Sequence, residues 1–282
     1  MNNQNDGERI PPGNAGPGSD TRYEFLDTGS IVKFSPCKWE KDITIFVPCY
    51  DEEGNIVDTF NTIASSLKET KLSWEIIVID DASTDDSKQV ILRYMKEHPE
   101  YDIKLRARKE NMGLAQNYID GAFMASGRYY KLVSGDNAEP KETLSVIFNA
   151  LGKGTMVIPY PVQIEGRSLL RHIFSKTYTF LVNVLSGHRL KYYNGGAVHL
   201  TYNVMRWHTD YHGFSFQADI ITRLLNQGMS YVEIPVTSQG RKCGESKAYQ
   251  LKNFLSVGHF FLDLIIRHIG IMYRHKNRNK KR

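Results

Sequence analysis

The sequence predicts an α/β domain: a mostly parallel central sheet flanked by helices, followed by an amphipathic C-terminal helix. Three observations carry this reading. Short β-branched runs such as ITIFVPC at 43–49 and EIIVI at 75–79 have no polar alternation, as expected of strands buried on both faces. Segments of helical period separate these runs. Acidic, turn-rich loops follow three of them: Asp51, Glu52 and Glu53, then Asp80 and Asp81, then Asp136 and Glu139. In open parallel sheets ligands bind outside the carboxyl ends of the strands, so these loops mark one candidate edge.

Taken in order, a strand at 43–49 leads through the turn YDEEGN to a helix near 56–69. The strand at 75–79 leads to a helix near 84–97, where Ser83 or Thr84 is placed to cap the N-terminus. A strand at 103–107, a helix near 114–126 and a strand at 129–133 continue the alternation expected of a doubly wound domain. After the polar loop SGDNAEP a helix begins near Pro140, since proline suits a first turn. TMVIPYP at 155–161 reads as another strand, and there the plain alternation stops. The segment 168–185 is an apolar helix with a polar stripe at Arg171, Ser175, Thr179 and Asn183, expected to be its wet face. Beyond YYNGGAVHL come a helix at 216–226, a strand in MSYVEIP, the loop QGRKCGESKA and a final helix over 251–273.

The chain of 282 residues can bury a sizeable core. Its net charge of +5 does not indicate nucleic-acid binding, because Arg274, Lys276, Arg278, Lys280, Lys281 and Arg282 account for more than all of it. Residues 1–273 are close to neutral. Cys37, Cys49 and Cys243 lack metal-type spacing, which fits a reduced compartment and no zinc site. Residues 1–22 have no apolar signal-peptide core, and their Gly, Pro, Asn and Asp content predicts disorder.

No G-x-G-x-x-G follows the first strand, and no G-x-x-x-x-G-K, H-E-x-x-H or G-x-S-x-G occurs. A Rossmann dinucleotide site, a P-loop, a zinc protease and an α/β-hydrolase therefore lack support. Three acidic patches at one sheet edge instead suit a nucleotide diphosphate with magnesium or manganese as counter-ion.

The motifs PCYDEEGNI, EIIVIDDASTDDS, N-M-G-L-A-x-N-x-x-x-G-A and LVSGDNAEP, in this order over 43–140, resemble the family 2 glycosyltransferases. That resemblance implies the GT-A nucleotide-diphospho-sugar transferase fold and an inverting transfer. A weaker similarity continues to about residue 247 and points toward the polyprenyl-phosphate (dolichyl-phosphate) sugar transferase branch. By this resemblance Pro48, Tyr50 and Glu52 contact the nucleobase, with Asp51 replacing the usual Asn. Asp81 approaches the base or ribose and Asp80 supports its loop. Asp136 holds the position of the metal-contacting acid, whereas the first acid of the family's D-x-D has become Ser134, and Ala138 replaces a Gln that helps with the metal. Fewer carboxylates imply weaker metal binding until the donor diphosphate adds its oxygens.

The same branch binds lipid phosphate through an Arg and a Ser four residues later. Arg171 and Ser175 have that spacing, which places them on one helix face, and Lys247 in the G-E-S-K segment can reach a phosphate. GFSFQAD at 213–219 resembles the stretch that carries the acceptor-side acid in many family members, which makes Asp219 the candidate general base. A sugar hydroxyl needs such a base, but an anionic lipid phosphate does not.

As a transmembrane span the last helix would bury Asp263 and Arg267, at about 2.5–3.5 kcal/mol each. Lying in the interface keeps its polar stripe wet and brings the basic tail to anionic headgroups, the alternative being that the helix covers the catalytic domain's own core or a partner subunit. The expected organisation is thus a disordered segment at 1–22, a catalytic domain at 41–250, an interfacial helix at 251–273 and a basic tail at 274–282. The expected protein is peripheral on the cytoplasmic face of a membrane. It takes a nucleoside-diphosphate sugar donor and a lipid-phosphate or sugar acceptor, and does not bind nucleic acid. A soluble-acceptor transferase, a non-catalytic nucleotide-sugar-binding protein and homo-oligomerisation remain open alternatives.

Overall fold

The computed structural model describes residues 22–25, 31–34, 39–164, 169–207, 215–238 and 251–279. The chain divides into two units, Met1–Lys38 and Trp39–Arg282. In the first, β1 (Arg22–Phe25) and β2 (Ile31–Phe34) pair antiparallel, a hairpin that the sequence reading did not anticipate. Apart from Arg22, the segment expected to be disordered lies outside the described residues.

The second unit begins with β3 (Lys41–Cys49), α1 (Ile56–Lys68), β4 (Trp74–Asp80), α2 (Ser87–Glu97), β5 (Ile103–Ala107), α3 (Leu114–Met124) and β6 (Gly127–Leu132). It continues with α4 (Lys141–Phe148), β7 (Met156–Ile164), α5 (Leu169–Ser186), β8 (Val198–Leu200), α6 (Thr201–Met205), α7 (Phe216–Asn226), β9 (Tyr231–Ser238) and α8 (Leu251–Asn279). Seven strands form one sheet in the order β5-β4-β3-β6-β8-β7-β9. Neighbours are parallel except at β8, which runs antiparallel to both β6 and β7. This reversal is where the alternation in the sequence breaks off. The three-residue β8 and the single turn and a half of α6 are too short to leave a periodic signature, and both were missed.

Two apolar layers cover the sheet, sorted by the two-residue period of the strands. Ile43, Ile45 and Val47 of β3, with Ile76 and Val78 of β4, pack against Ile56, Phe60, Ile63 and Leu67 of α1 and against α2 and α4. Phe46, Ile77, Ile79 and Tyr130 face the other way, toward Tyr118 of α3 and the helices of the C-terminal half. Between the layers, Glu75 is fully buried. Burial alone would raise its pKa. Lys104 Nζ at 2.6 Å, Thr44 Oγ1 at 2.5 Å and the Ser126 amide at 2.5 Å outweigh it and hold the carboxyl below the usual range. One acid thereby ties β3, β4, β5 and the entry to β6.

Two expectations are corrected here. The second helix starts at Ser87 rather than near 84, with Asp86 as N-cap and no side-chain cap bond, because residues 83–86 are drawn into bonds with the loop after β3. In α5 the polar stripe is not the wet face. Asn183 turns inward, its Oδ1 accepting from the Leu190 amide and the Tyr193 hydroxyl, while Ile173, Phe174, Phe180 and Val184 lie exposed.

Candidate active site

Because β3, β4 and β6 are mutually parallel, their carboxyl ends deliver three loops to one edge of the sheet. Each loop contains one non-glycine residue in the left-handed region: Asp51 at φ 56°, Ala82 at φ 64° and Asn137 at φ 53°. Asn and Asp tolerate this conformation, but for Ala82 it costs roughly 1–2 kcal/mol. Strain of this kind gathers where surrounding bonds over-determine the backbone, commonly at functional sites.

Those bonds are present. The Asp81 amide donates to the Cys49 carbonyl at 2.9 Å. The Asp51 carboxylate accepts from the Thr84 amide at 2.8 Å, and that of Glu53 from the Asp86 amide at 2.8 Å. In return, the amides of Asp51, Glu52 and Glu53 donate to Ser83 Oγ, Ser87 Oγ and Asp85 Oδ2. Asp51 and Glu53 therefore join the first two loops. Glu52 turns back along its own loop, where its Oε2 accepts from Asn55 Nδ2 at 2.8 Å. Pro48 and Tyr50 are half-buried beside it. Beneath these loops burial pushes the Cys49 thiol up to about 12, so it stays protonated at neutral pH.

Asp80 Oδ1 accepts from the Ser83 amide at 3.1 Å and from Ser83 Oγ at 2.5 Å, a loop-supporting arrangement. Asp81 is 6% exposed; its two oxygens accept from the amides of Met112 and Gly113 at 2.8 and 2.9 Å. Gly113, at φ 83° and ψ 159°, adopts a backbone open to glycine alone and starts α3. Arg108 lies 4.0 Å from Asp81 and bonds Asn117 and Asp120 of α3. These contacts account for the N-M-G-L-A-x-N motif as the partner of Asp81.

The third loop is pressed onto the first. A Cβ at Gly135 would stand 2.8 Å from the Pro48 carbonyl and 3.5 Å from Glu52 Cγ, so only glycine permits this approach. Thr59 Oγ1 of α1 donates to the Gly135 carbonyl at 2.9 Å. Asp136, 5% exposed, follows directly and accepts from the Ala138 amide. Glu139, counted with the site acids in the sequence, is instead held by Lys131 Nζ at 2.8 and 3.0 Å. Lys131 was missed. It is fully buried on β6 and also donates to the Leu132 carbonyl, and its one trace in the sequence is a lone charge within YYKLV.

The remaining candidates are distributed elsewhere. Ser175 is half-buried in α5, one turn beyond the backbone of Arg171, whose side chain is outside the described residues, as is Lys247 altogether. Asp219, in the first turn of α7, is fully buried. Its oxygens accept from Trp207 Nε1 at 2.8 Å, Arg223 Nε at 3.0 Å and Arg267 Nη2 of α8 at 2.8 Å. Among the described residues no three His, Cys, Asp or Glu side chains converge as a metal cluster. A magnesium-type ion bound through one carboxylate and substrate phosphates does not require one, and Asp136 fits that role.

The family model described as Glycosyl transferase family 2 matches residues 44–209. A dolichyl-phosphate beta-glucosyltransferase of Trichomonas vaginalis is 24% identical over 233 residues, 76% of this chain and 67% of its own length. One from Dictyostelium discoideum is 29% identical over 101 residues, 34% of this chain and 31% of its own. The chain thus spans about a third of that relative. Among solved structures, glucosyl-3-phosphoglycerate synthase from Mycobacterium tuberculosis, crystallised with Mn2+, UDP and glucosyl-3-phosphoglycerate, aligns with TM-score 0.61 and 13% identity over 83% of this chain and 82% of that one. S. aureus TarS 1-349 with UDP-GlcNAc aligns with TM-score 0.56 and 17% identity over 80% and 66%. These likenesses give the fold as GT-A.

Proposed function

The chain belongs to glycosyl transferase family 2, and from that membership we propose that it transfers a sugar from a nucleoside-diphosphate donor to a polyprenyl phosphate at a membrane surface. The carrying observation is the joined loop edge, where Gly135 presses the loop that carries Asp136 onto Pro48 and Glu52. In this reading Pro48, Tyr50, Glu52 and Asp81 hold the nucleoside and Asp136 faces the diphosphate. A Mg2+ or Mn2+ ion held by Asp136 would offset charge on the departing diphosphate. The acceptor oxygen attacks the anomeric carbon opposite the leaving group; a new C–O bond forms as the bond to the diphosphate breaks, and the configuration inverts.

A phosphate acceptor arrives anionic and needs no base. Asp219, with both oxygens already holding N–H donors, is better suited to anchor the acceptor side than to take a proton, which supports the phosphate reading over a hydroxyl acceptor. Arg171, Ser175 and Lys247 are the proposed phosphate contacts. The dolichyl-phosphate relatives support the same acceptor class. No described helix is long and apolar enough to cross a membrane. The exposed apolar faces of α5 and α8, with Arg274, Lys276 and Arg278 continuing α8, support peripheral attachment to an anionic, cytoplasmic membrane face.

The test is release of nucleoside diphosphate from UDP-glucose and other UDP-sugars, with and without polyprenyl phosphate and manganese. Polyprenyl phosphate is expected to stimulate release, chelation to suppress it, and Asp136→Asn to lower turnover at least about 100-fold. Stimulation by soluble sugars alone would replace the acceptor assignment, and full activity of Asp136→Asn would remove the metal assignment.

A further inference from the structure

α8 joins the rest of the unit along two seams. The apolar seam is Phe260 and Leu264, buried against α5, with Tyr178 5.7 Å from the Phe261 ring and 6.4 Å from that of Phe260. The polar seam is Asp263 and Arg267, two residues of the stripe expected to stay wet, of which His259 alone is exposed among the described side chains. Asp263 and Arg267 turn toward α7. Arg267 Nη2 donates to Asp219, Arg267 Nε lies 2.8 Å from Asp263 Oδ2, and Arg223 Nη2 reaches the same Asp263 oxygen at 3.4 Å. Arg223 Nε closes the ring by spanning both oxygens of Asp219 at 3.0 Å.

Two carboxylates and two guanidinium groups thus form a neutral cycle around the first turn of α7. Such a cycle, with Asp219 buried and Arg223 and Asp263 partly exposed, is a poor source of stability, because its exposed pairs are worth little and its buried one is offset by desolvation. What the planar guanidinium does supply is direction: it fixes the orientation of the carboxylate it holds. The carboxylate in question projects from the turn Phe216–Asp219, which packs on Tyr118 of α3 at 5.2 Å and on Trp207 at 6.1 Å. We propose that Arg267 is a positioning residue for the acceptor side of the transfer, acting through Asp219 on the first turn of α7. This rests on the reading of that turn as acceptor-facing.

The experiment compares full-length wild type, Arg267→Gln and Arg267→Lys in steady-state transfer, varying acceptor at saturating donor and then the reverse. Arg267→Gln is expected to reduce kcat/KM for the acceptor about tenfold, the equivalent of about 1.4 kcal/mol. Donor KM and the thermal shift given by UDP should stay within about twofold of wild type, and Arg267→Lys should recover part of the loss. Equal effects on donor and acceptor, or a folded Arg267→Gln with no effect, would overturn the proposal. Because Arg267→Gln also weakens the docking of α8, Asp219→Asn and the double variant are measured alongside. Acting through Asp219, Arg267→Gln adds little in the Asp219→Asn background; independent, multiplying effects would mean a role in α8 docking alone and sink the inference. If wild type uses a different acceptor, the functional reading fails instead, and the same comparison is made with that acceptor.

Discussion

His199 shows how one buried side chain links the sheet to the solution around it. It lies on β8 opposite Tyr130, fully buried, and burial holds its ring down to about 4 against a weaker opposing effect of Gln217. Between that value and the ordinary 6.5 the unfolded chain binds a proton that the folded chain does not. Stability is therefore complete near neutral pH and falls as pH drops through this window. From pH 7 to pH 5 the loss from this one group is about 2 kcal/mol, and His199→Leu should lose that much less in paired denaturation series. No sequence signal points to it, because a histidine in a three-residue strand carries no period to place it on a face. Asp81 was more legible. Its position after a buried strand put it at the site edge, and a motif 30 residues on supplied the loop whose amides it accepts. The partners of Asp219 lie 12, 4 and 48 residues away on separate elements, so the motif identified the acid but not its company.

Helical periodicity fixes that a helix has two faces without saying which one meets the protein. For α1 the ambiguity was harmless, since its apolar stripe is its buried one. Asn183 of α5 and Asp263 and Arg267 of α8 instead turn inward to specific partners, and much of the apolar surface of both helices is left outside. On α8, Leu262, Ile265, Ile266 and Ile269 are exposed, with Ile266 at 68%. A substitution at so open a position changes stability by no more than about 0.5 kcal/mol. Ile266→Glu should therefore melt like wild type yet lose most of its flotation with vesicles containing anionic phospholipid. Unchanged flotation would remove α8 from the membrane contact.

Over the whole molecule, the half of the sheet built by simple alternation was readable from its apolar runs, and with it the acidic loops at the strand ends, though not the hold of Lys131 on Glu139. In the second half β7, α5, α7, β9 and α8 were readable as elements, but their order in the sheet was not, because the short β8 reverses direction and its neighbours are assembled from distant stretches of chain. That reversal has a consequence of its own. β8 shares three residue pairs with β6 but a single pair, Val157 with Val198, with β7. By contrast β7 and β9 share eight, and β3 and β4 seven. The sheet is thus two well-laddered halves meeting at one thin seam, and cooperative opening follows such seams. Native-state hydrogen exchange should resolve two sets of amides: β3–β6 opening as one group, and β7 with β9 as another at lower free energy. A single exchange free energy across all seven strands would contradict this. The half proposed to hold the donor can then persist while the half proposed to receive the acceptor opens and recloses.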